Sequence, residues 1–208
     1  MSTQLSREDF FSEWSDHHGG APITGATRWW LKNSYASARI ATALKFSPNV
    51  LTASGILAAI GMALSNNAWF AIGLLALSLF FDGIDGSVAI VQGRASQRGG
   101  VLDSLADRIS EALWLYAAYR AGLTLWCALS LWAIASTQEY ARARLASLGA
   151  REIGVVTICE RPVRAIATAF ILLATFINQS SINIAGIVYL ALTLISFLQV
   201  MNYAKKAL

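Results

Sequence analysis

Charge is what this chain of 208 residues is short of: only 13% of its positions are Asp, Glu, Lys or Arg. Soluble proteins carry about 25%. A chain so poor in charge cannot cover a water-facing surface, and its long apolar runs exclude an ordinary soluble domain. Cysteine is scarce too. Cys127 and Cys159 have neither paired nor metal-ligand spacing, which argues against a disulfide framework and against a thiolate metal site. Proline occurs three times, and two of those residues, Pro48 and Pro162, stand where helices can start. The opening residues MSTQLSREDFF lack the basic stretch and apolar core expected of a secretory leader. Low-complexity segments and internal repeats are absent as well.

What is present is hydrophobic: 56% of the residues, gathered into runs that predict an all-α membrane protein. Six transmembrane helices are expected, at about 49–65, from 68 past Asp85, and at 101–119, 123–140, 165–177 and 182–203. They make one membrane domain over 47–208, preceded by cytoplasmic and interfacial helices over 1–46. Within 24–44, Trp29, Trp30, Leu31 and Tyr35 are mixed with Arg28, Lys32 and Arg39, the pattern of an amphipathic helix lying in the membrane interface. Residues 1–20 read as a short surface helix ending near His17-His18. Neighbouring histidines diverge on a helix, so this pair is read as polar surface rather than a metal site. The net charge of +4 fits basic loops against anionic headgroups, and no nucleic-acid partner is expected. Nearly every Lys and Arg falls on the side that holds both termini, and Arg120 alone falls on the other. The positive-inside rule makes the basic side cytoplasmic in a multi-pass protein of the cell membrane.

Against this background the stretch DGIDGSVAIVQGRASQRGGVLDSLAD, Asp82 to Asp107, stands out. It places two pairs of acids, Asp82 with Asp85 and Asp103 with Asp107, at the cytoplasmic ends of the second and third runs. Carboxylates at the edge of hydrocarbon cost several kcal/mol each unless neutralised. Spacings of three and four put each pair on one helix face. Ion pairing with Arg94, Arg98 and Arg108 would satisfy two acids rather than four. A cation or proton pathway would need acids deeper in the later runs, and there are none. An oxygen-rich site for divalent cations that neutralise a diphosphate accounts for all four. The glycines Gly83, Gly86, Gly99 and Gly100 would let a ligand or a backbone approach closely, or simply serve helix contact.

These residues resemble the signature of the CDP-alcohol phosphatidyltransferases, D-x2-D-G-x2-A-R-x8-G-x3-D-x3-D. Asp82, Asp85, Gly86, Ala89, Gly99, Asp103 and Asp107 match it at the right spacings. Ser47-Pro48-Asn49 is similar to the family's (T/S)-P-N element. LDSLADRISE, EYARARLASLG and ERPVR look like the actinobacterial phosphatidylinositol phosphate synthases of that family. The resemblance implies that Asp82, Asp85, Asp103 and Asp107 hold two Mg²⁺ or Mn²⁺ ions, and that Asp107 is also the catalytic base. It further implies that Ser47, Pro48, Gly86 and Ser96 line the site for CDP-diacylglycerol, and that the protein is a homodimer among membrane lipids. The reaction implied is transfer of a phosphatidyl group to the hydroxyl of a polar alcohol, with release of CMP, in phospholipid biosynthesis.

The acceptor has a weaker signal. Arg142, Arg144, Arg161 and Arg164 form a basic group on the cytoplasmic side, suited to a phosphorylated alcohol such as inositol phosphate or glycerol 3-phosphate. They also obey the positive-inside rule, which alone would explain them. One position departs from the signature: Ile90 stands where it has arginine. An apolar residue cannot replace a guanidinium that contacts the CDP-linked substrate. Arg94 or Arg98 would then take over, or the chain is a catalytically weak or silent relative that binds metal or lipid. Restoring the arginine is expected to preserve or raise donor affinity.

Overall fold

A computed structural model describes residues 5–17, 20, 22–149 and 156–207. Among these residues there are eight helices and no strand: α1 Arg7–His17, α2 Gly25–Ala43, α3 Pro48–Leu64, α4 Ala68–Val91, α5 Gln97–Arg120, α6 Leu125–Ser147, α7 Arg161–Ala174 and α8 Gln179–Ala207. His18, Arg151 and Glu152 lie outside the described residues.

The helix starts follow from side chains that satisfy otherwise orphaned amides. The Phe70 N–H donates to Asn67 Oδ1 at the head of α4, at 2.9 Å. The Gly99 N–H donates to Ser96 Oγ at the head of α5, at 3.1 Å. The Ser181 N–H donates to Asn178 Oδ1 at the head of α8, at 2.9 Å. The Ser96 cap is why α5 begins at Gln97, ahead of the position expected from hydropathy. Pro48 and Pro162 sit in the first turns of α3 and α7, where a missing N–H costs nothing. The run expected to end near Tyr140 continues as helix to Ser147, since the charged sequence EYARAR has good helix propensity even where it is not apolar.

Among the described residues, two helices are long and apolar enough to cross a membrane, α4 and α8, or three if α2 and α3 form one bent span. The bend between α2 and α3 is 108°. Six spans were expected, and the remaining helices miss that length or apolarity for physical reasons. α3 has 17 residues and α7 has 14, and α5 and the end of α6 carry too many charges to read as simple hydrocarbon-facing helices.

The helices gather into two compact units, residues 1–57 with 78–107, and residues 58–77 with 108–208. In the first, Ala38, Ala41, Leu51, Ile84 and Val88 form one buried cluster. Phe10, Phe11, Leu31 and Ile90 form another, with Trp14, Ile23 and Tyr35 against it. The Tyr35 hydroxyl donates to the Leu5 carbonyl at 2.8 Å, which ties the start of α1 to α2. In the second unit, Leu123, Cys127, Leu131, Ile171, Ile182 and Tyr189 belong to the apolar core of α5 to α8. Arg120 donates to the Ala63 carbonyl and to Asn66 Oδ1, each at 2.7 Å, closing the end of α3.

Candidate metal centre

The acids sit on the segments of two helices that belong to the first unit, Asp82 and Asp85 near the end of α4, Asp103 and Asp107 in the first half of α5. The structure brings three of them together. Asp82, Asp103 and Asp107 each offer one carboxylate oxygen, and these oxygens all lie within 4.8 Å of one another. Oxygens on opposite sides of a Mg²⁺ ion are about 4.2 Å apart. The trio would therefore close on one ion with small side-chain adjustments. Hard carboxylate oxygens, with no nitrogen or sulfur among them, suit Mg²⁺ or Mn²⁺ rather than zinc or copper. Three ionised carboxylates so close repel one another, and a divalent cation is the natural neutraliser.

Asp85 is outside this trio. It is only 4% exposed. Its Oδ1 accepts the Gly86 N–H at 2.6 Å, and its Oδ2 accepts the Thr52 hydroxyl. It is near enough to Asp103 and Asp82 to interact with their charges. On α4, Asp82 and Asp85 are about 60° apart around the axis, so one can face the trio while the other turns to α3.

The glycines separate into different roles. A Cβ on Gly83 would lie 2.6 Å from the Trp30 ring, so this glycine admits α2 against α4. A Cβ on Gly86 would meet nothing within 4 Å, which leaves room beside Asp85. Ser47 Oγ accepts the Val50 N–H at 3.4 Å at the start of α3. Ser96 caps α5, and the hydroxyl oxygen that serves as cap keeps its own proton to donate. Ser47, Pro48, Gly86 and Ser96 thus all belong to the unit that holds the acids. Ile90 is 5% exposed and packs with Phe10, Phe11 and Leu31. Arginine here would meet apolar side chains of α1 and α2.

The arginines of the basic group lie in the second unit and are not four alike. Arg164, 1% exposed, donates to Glu111 Oε1 at 2.7 Å, Glu139 Oε1 at 2.6 Å and the Cys159 carbonyl at 3.0 Å. Every nitrogen of its guanidinium is engaged by a partner within the chain. Arg142 binds both oxygens of Glu160, at 2.6 and 3.0 Å. Arg161 lies over the Trp114 ring, 5.2 Å from its centroid, a cation–π contact. Arg144 is exposed. Glu111 also accepts from Arg108 at 2.6 Å, so Arg108, Glu111, Arg164, Glu139, Arg142 and Glu160 alternate in sign along one string. Burial pushes the Glu160 carboxyl up. The hydrogen bonds from Arg142 and from the Thr157 N–H outweigh this and hold it below its ordinary range.

Sequence reasoning passed over Thr52 and gave Glu111 and Glu139 no role. Thr52 is one of several hydroxyl residues near the start of α3, one turn after Pro48. Glu111 continues the spacing of Asp103 and Asp107 by one further turn. Both signals are readable only once their partners are known.

The family model for CDP-alcohol phosphatidyltransferases matches residues 45–200. The chain is 35% identical to the archaetidylinositol phosphate synthase of Pyrococcus horikoshii over 174 residues, 79% of this chain and 87% of that protein. It is 33% identical to the phosphatidylinositol phosphate synthase of Cutibacterium acnes over 55% of this chain and 61% of that one. Among solved structures, the phosphatidylinositol phosphate synthase of Mycobacterium tuberculosis superposes with a TM-score of 0.68. It does so at 20% identity with CDP-DAG bound, covering 81% of this chain and 92% of that one. Its complex with manganese and citrate matches with the same score at 21% identity, over 81% and 87%. With the spaced acids on α4 and α5 and a match that covers most of its length, the chain belongs to the CDP-alcohol phosphatidyltransferase family and is a membrane phosphatidyltransferase of phospholipid biosynthesis.

Proposed function

We propose that this enzyme transfers the phosphatidyl group of CDP-diacylglycerol to the hydroxyl of a phosphorylated alcohol, with inositol phosphate as the first candidate and glycerol 3-phosphate as the second. The observation that carries the reading is the approach of Asp82, Asp103 and Asp107 to within reach of one ion. Relatives named for inositol phosphate lipids in both archaea and bacteria support the acceptor.

Asp82, Asp85, Asp103 and Asp107 would hold two Mg²⁺ or Mn²⁺ ions. When bound, such ions neutralise the diphosphate and the charge that develops on the attacking and leaving oxygens. Asp107 takes the proton of the acceptor hydroxyl. The hydroxyl oxygen forms a bond to the phosphorus on the lipid side of the diphosphate, the phosphoanhydride bond breaks, and CMP carries away the electron pair. Ser47, Pro48, Gly86 and Ser96 line the CDP side, where Gly86 leaves space for the donor. Arg144 and Arg161 meet the acceptor's phosphate, and Arg142 and Arg164 hold that basic side rigid through their ion pairs. In the membrane, α3 to α8 make six crossings with both termini and the acids on the cytoplasmic side, α2 lies in the interface, and the enzyme is a homodimer.

The test is CMP release from CDP-diacylglycerol with Mn²⁺ or Mg²⁺ across an acceptor panel. Inositol phosphate is expected to support turnover best, and folded protein that releases no CMP with any acceptor would sink the proposal. Asp107→Asn is expected to lower turnover by about 10²–10⁴-fold, the usual contribution of a general base, with an unchanged melting temperature. Turnover at the wild-type level in that variant would remove Asp107 as the base.

A further inference from the structure

α3 and α4 cross closely beside the acids. A Cβ on Gly55 would lie 3.3 Å from the Ser78 carbonyl oxygen and 3.7 Å from the backbone nitrogen of Asp82 itself. Leu51 is buried with Ile84 and Val88 in the same seam. One turn before Gly55 on α3, and one turn after Asp82 on α4, Thr52 meets Asp85. Its hydroxyl lies 3.1 Å from the Pro48 carbonyl oxygen and also bonds Asp85 Oδ2. That hydroxyl has one proton and two acceptors, and an ionised carboxylate is the stronger of the two. The other oxygen of Asp85 is held by the Gly86 N–H. Both oxygens of a nearly buried carboxylate are therefore fixed from opposite sides, one by its own helix and one by α3.

We infer that Thr52 is a positioning residue: its hydroxyl fixes Asp85, which stands outside the trio, in one rotamer from which it ligates the second of the two divalent ions. This rests on the metal reading of the four acids. The geometry divides the labour. Gly55 sets how near α3 comes to the α4 backbone at Asp82, and Thr52 converts that nearness into a fixed rotamer of Asp85. An aspartate on a helix otherwise samples several χ1 and χ2 settings, and metal affinity falls with the fraction of time its oxygens point elsewhere. Groups that orient metal ligands typically contribute about 10–100-fold in affinity. Thr52 also links two regions assigned to different substrate parts, since it reaches from the Ser47-Pro48 turn to the acids.

The test uses the full chain in detergent, titrated with Mn²⁺ and followed by the electron paramagnetic resonance signal of free Mn²⁺, with no substrate present. The metal-free melting temperature is measured alongside. Thr52→Val is expected to weaken Mn²⁺ binding by about 10–100-fold, and Thr52→Ser, which keeps the hydroxyl, to stay close to wild type. In the background of Asp85→Asn, adding Thr52→Val should cost nothing further. Wild-type affinity in Thr52→Val would overturn the role. So would an equal loss in Thr52→Ser, or a further loss on top of Asp85→Asn, since either would mean that packing rather than the hydroxyl on Asp85 is responsible. If Thr52→Val does not fold, Thr52→Ala replaces it with the same outcomes. A wild-type protein that takes up no Mn²⁺ would remove the metal reading itself, a result distinct from failure of Thr52 alone.

Discussion

At Gly83 the absence of a single carbon decides how two helices meet. Its hydrogen faces the Trp30 ring where a methyl would be 2.6 Å away, far inside any allowed contact. Gly83→Ala therefore has to push Trp30 outward and α2 with it. Overpacking of this kind costs about 1–3 kcal/mol, and the expected result is a lower melting temperature that Trp30→Leu restores. A Gly83→Ala variant as stable as wild type would show that Trp30 swings aside without cost. The four acids were legible as a group because spacings of three and four survive in any helix. That Asp85 would turn to Thr52 while the other three converge was not legible. That choice depends on a side chain of α3 more than thirty positions away in the chain.

The element that sequence described least well is α1. Its apolar spacing is enough to expect a helix, but nothing in it names the surface that Phe10 and Phe11 bury. The structure supplies Ile90, Leu31 and Tyr35 as that surface, so a short helix rich in acids covers the end of the helix that carries Asp82 and Asp85. Ile90 then reads as a packing residue. An arginine at this position would leave a charge without a partner in an apolar cluster, at a cost of about 3–5 kcal/mol, or would detach α1. Ile90→Arg is expected to melt at lower temperature and to open α1 to proteolysis, while Ile90→Leu does neither. An Ile90→Arg protein with wild-type melting and protection would mean that the guanidinium finds a partner after all. The six apolar runs all became helices, because hydrophobic runs of that length have few other ways to satisfy their backbone. Their ends were missed where caps such as Ser96, or charged helix formers such as those after Tyr140, extend a helix beyond its apolar part.

For the whole molecule, pH dependence follows from Glu160. Its carboxyl is held below the ordinary value of 4.5, so the folded state binds this proton more weakly than the unfolded chain. The stabilisation is complete above the ordinary value and is lost as pH falls through the lower value of the folded protein. Melting temperature measured from pH 7 downward is expected to drop on the acid side, and Glu160→Gln should lie lower at neutral pH and drop less. Parallel curves for the two proteins would remove Glu160 as a source of acid sensitivity. The string to which Glu160 belongs has a further consequence. Three guanidinium groups and three carboxylates sum to zero, so the string contributes nothing to the net charge of +4. The charge that attracts anionic lipid is thus carried wholly by residues outside it. Those outside residues can be changed singly, whereas removing one member of the string strands an oppositely charged neighbour.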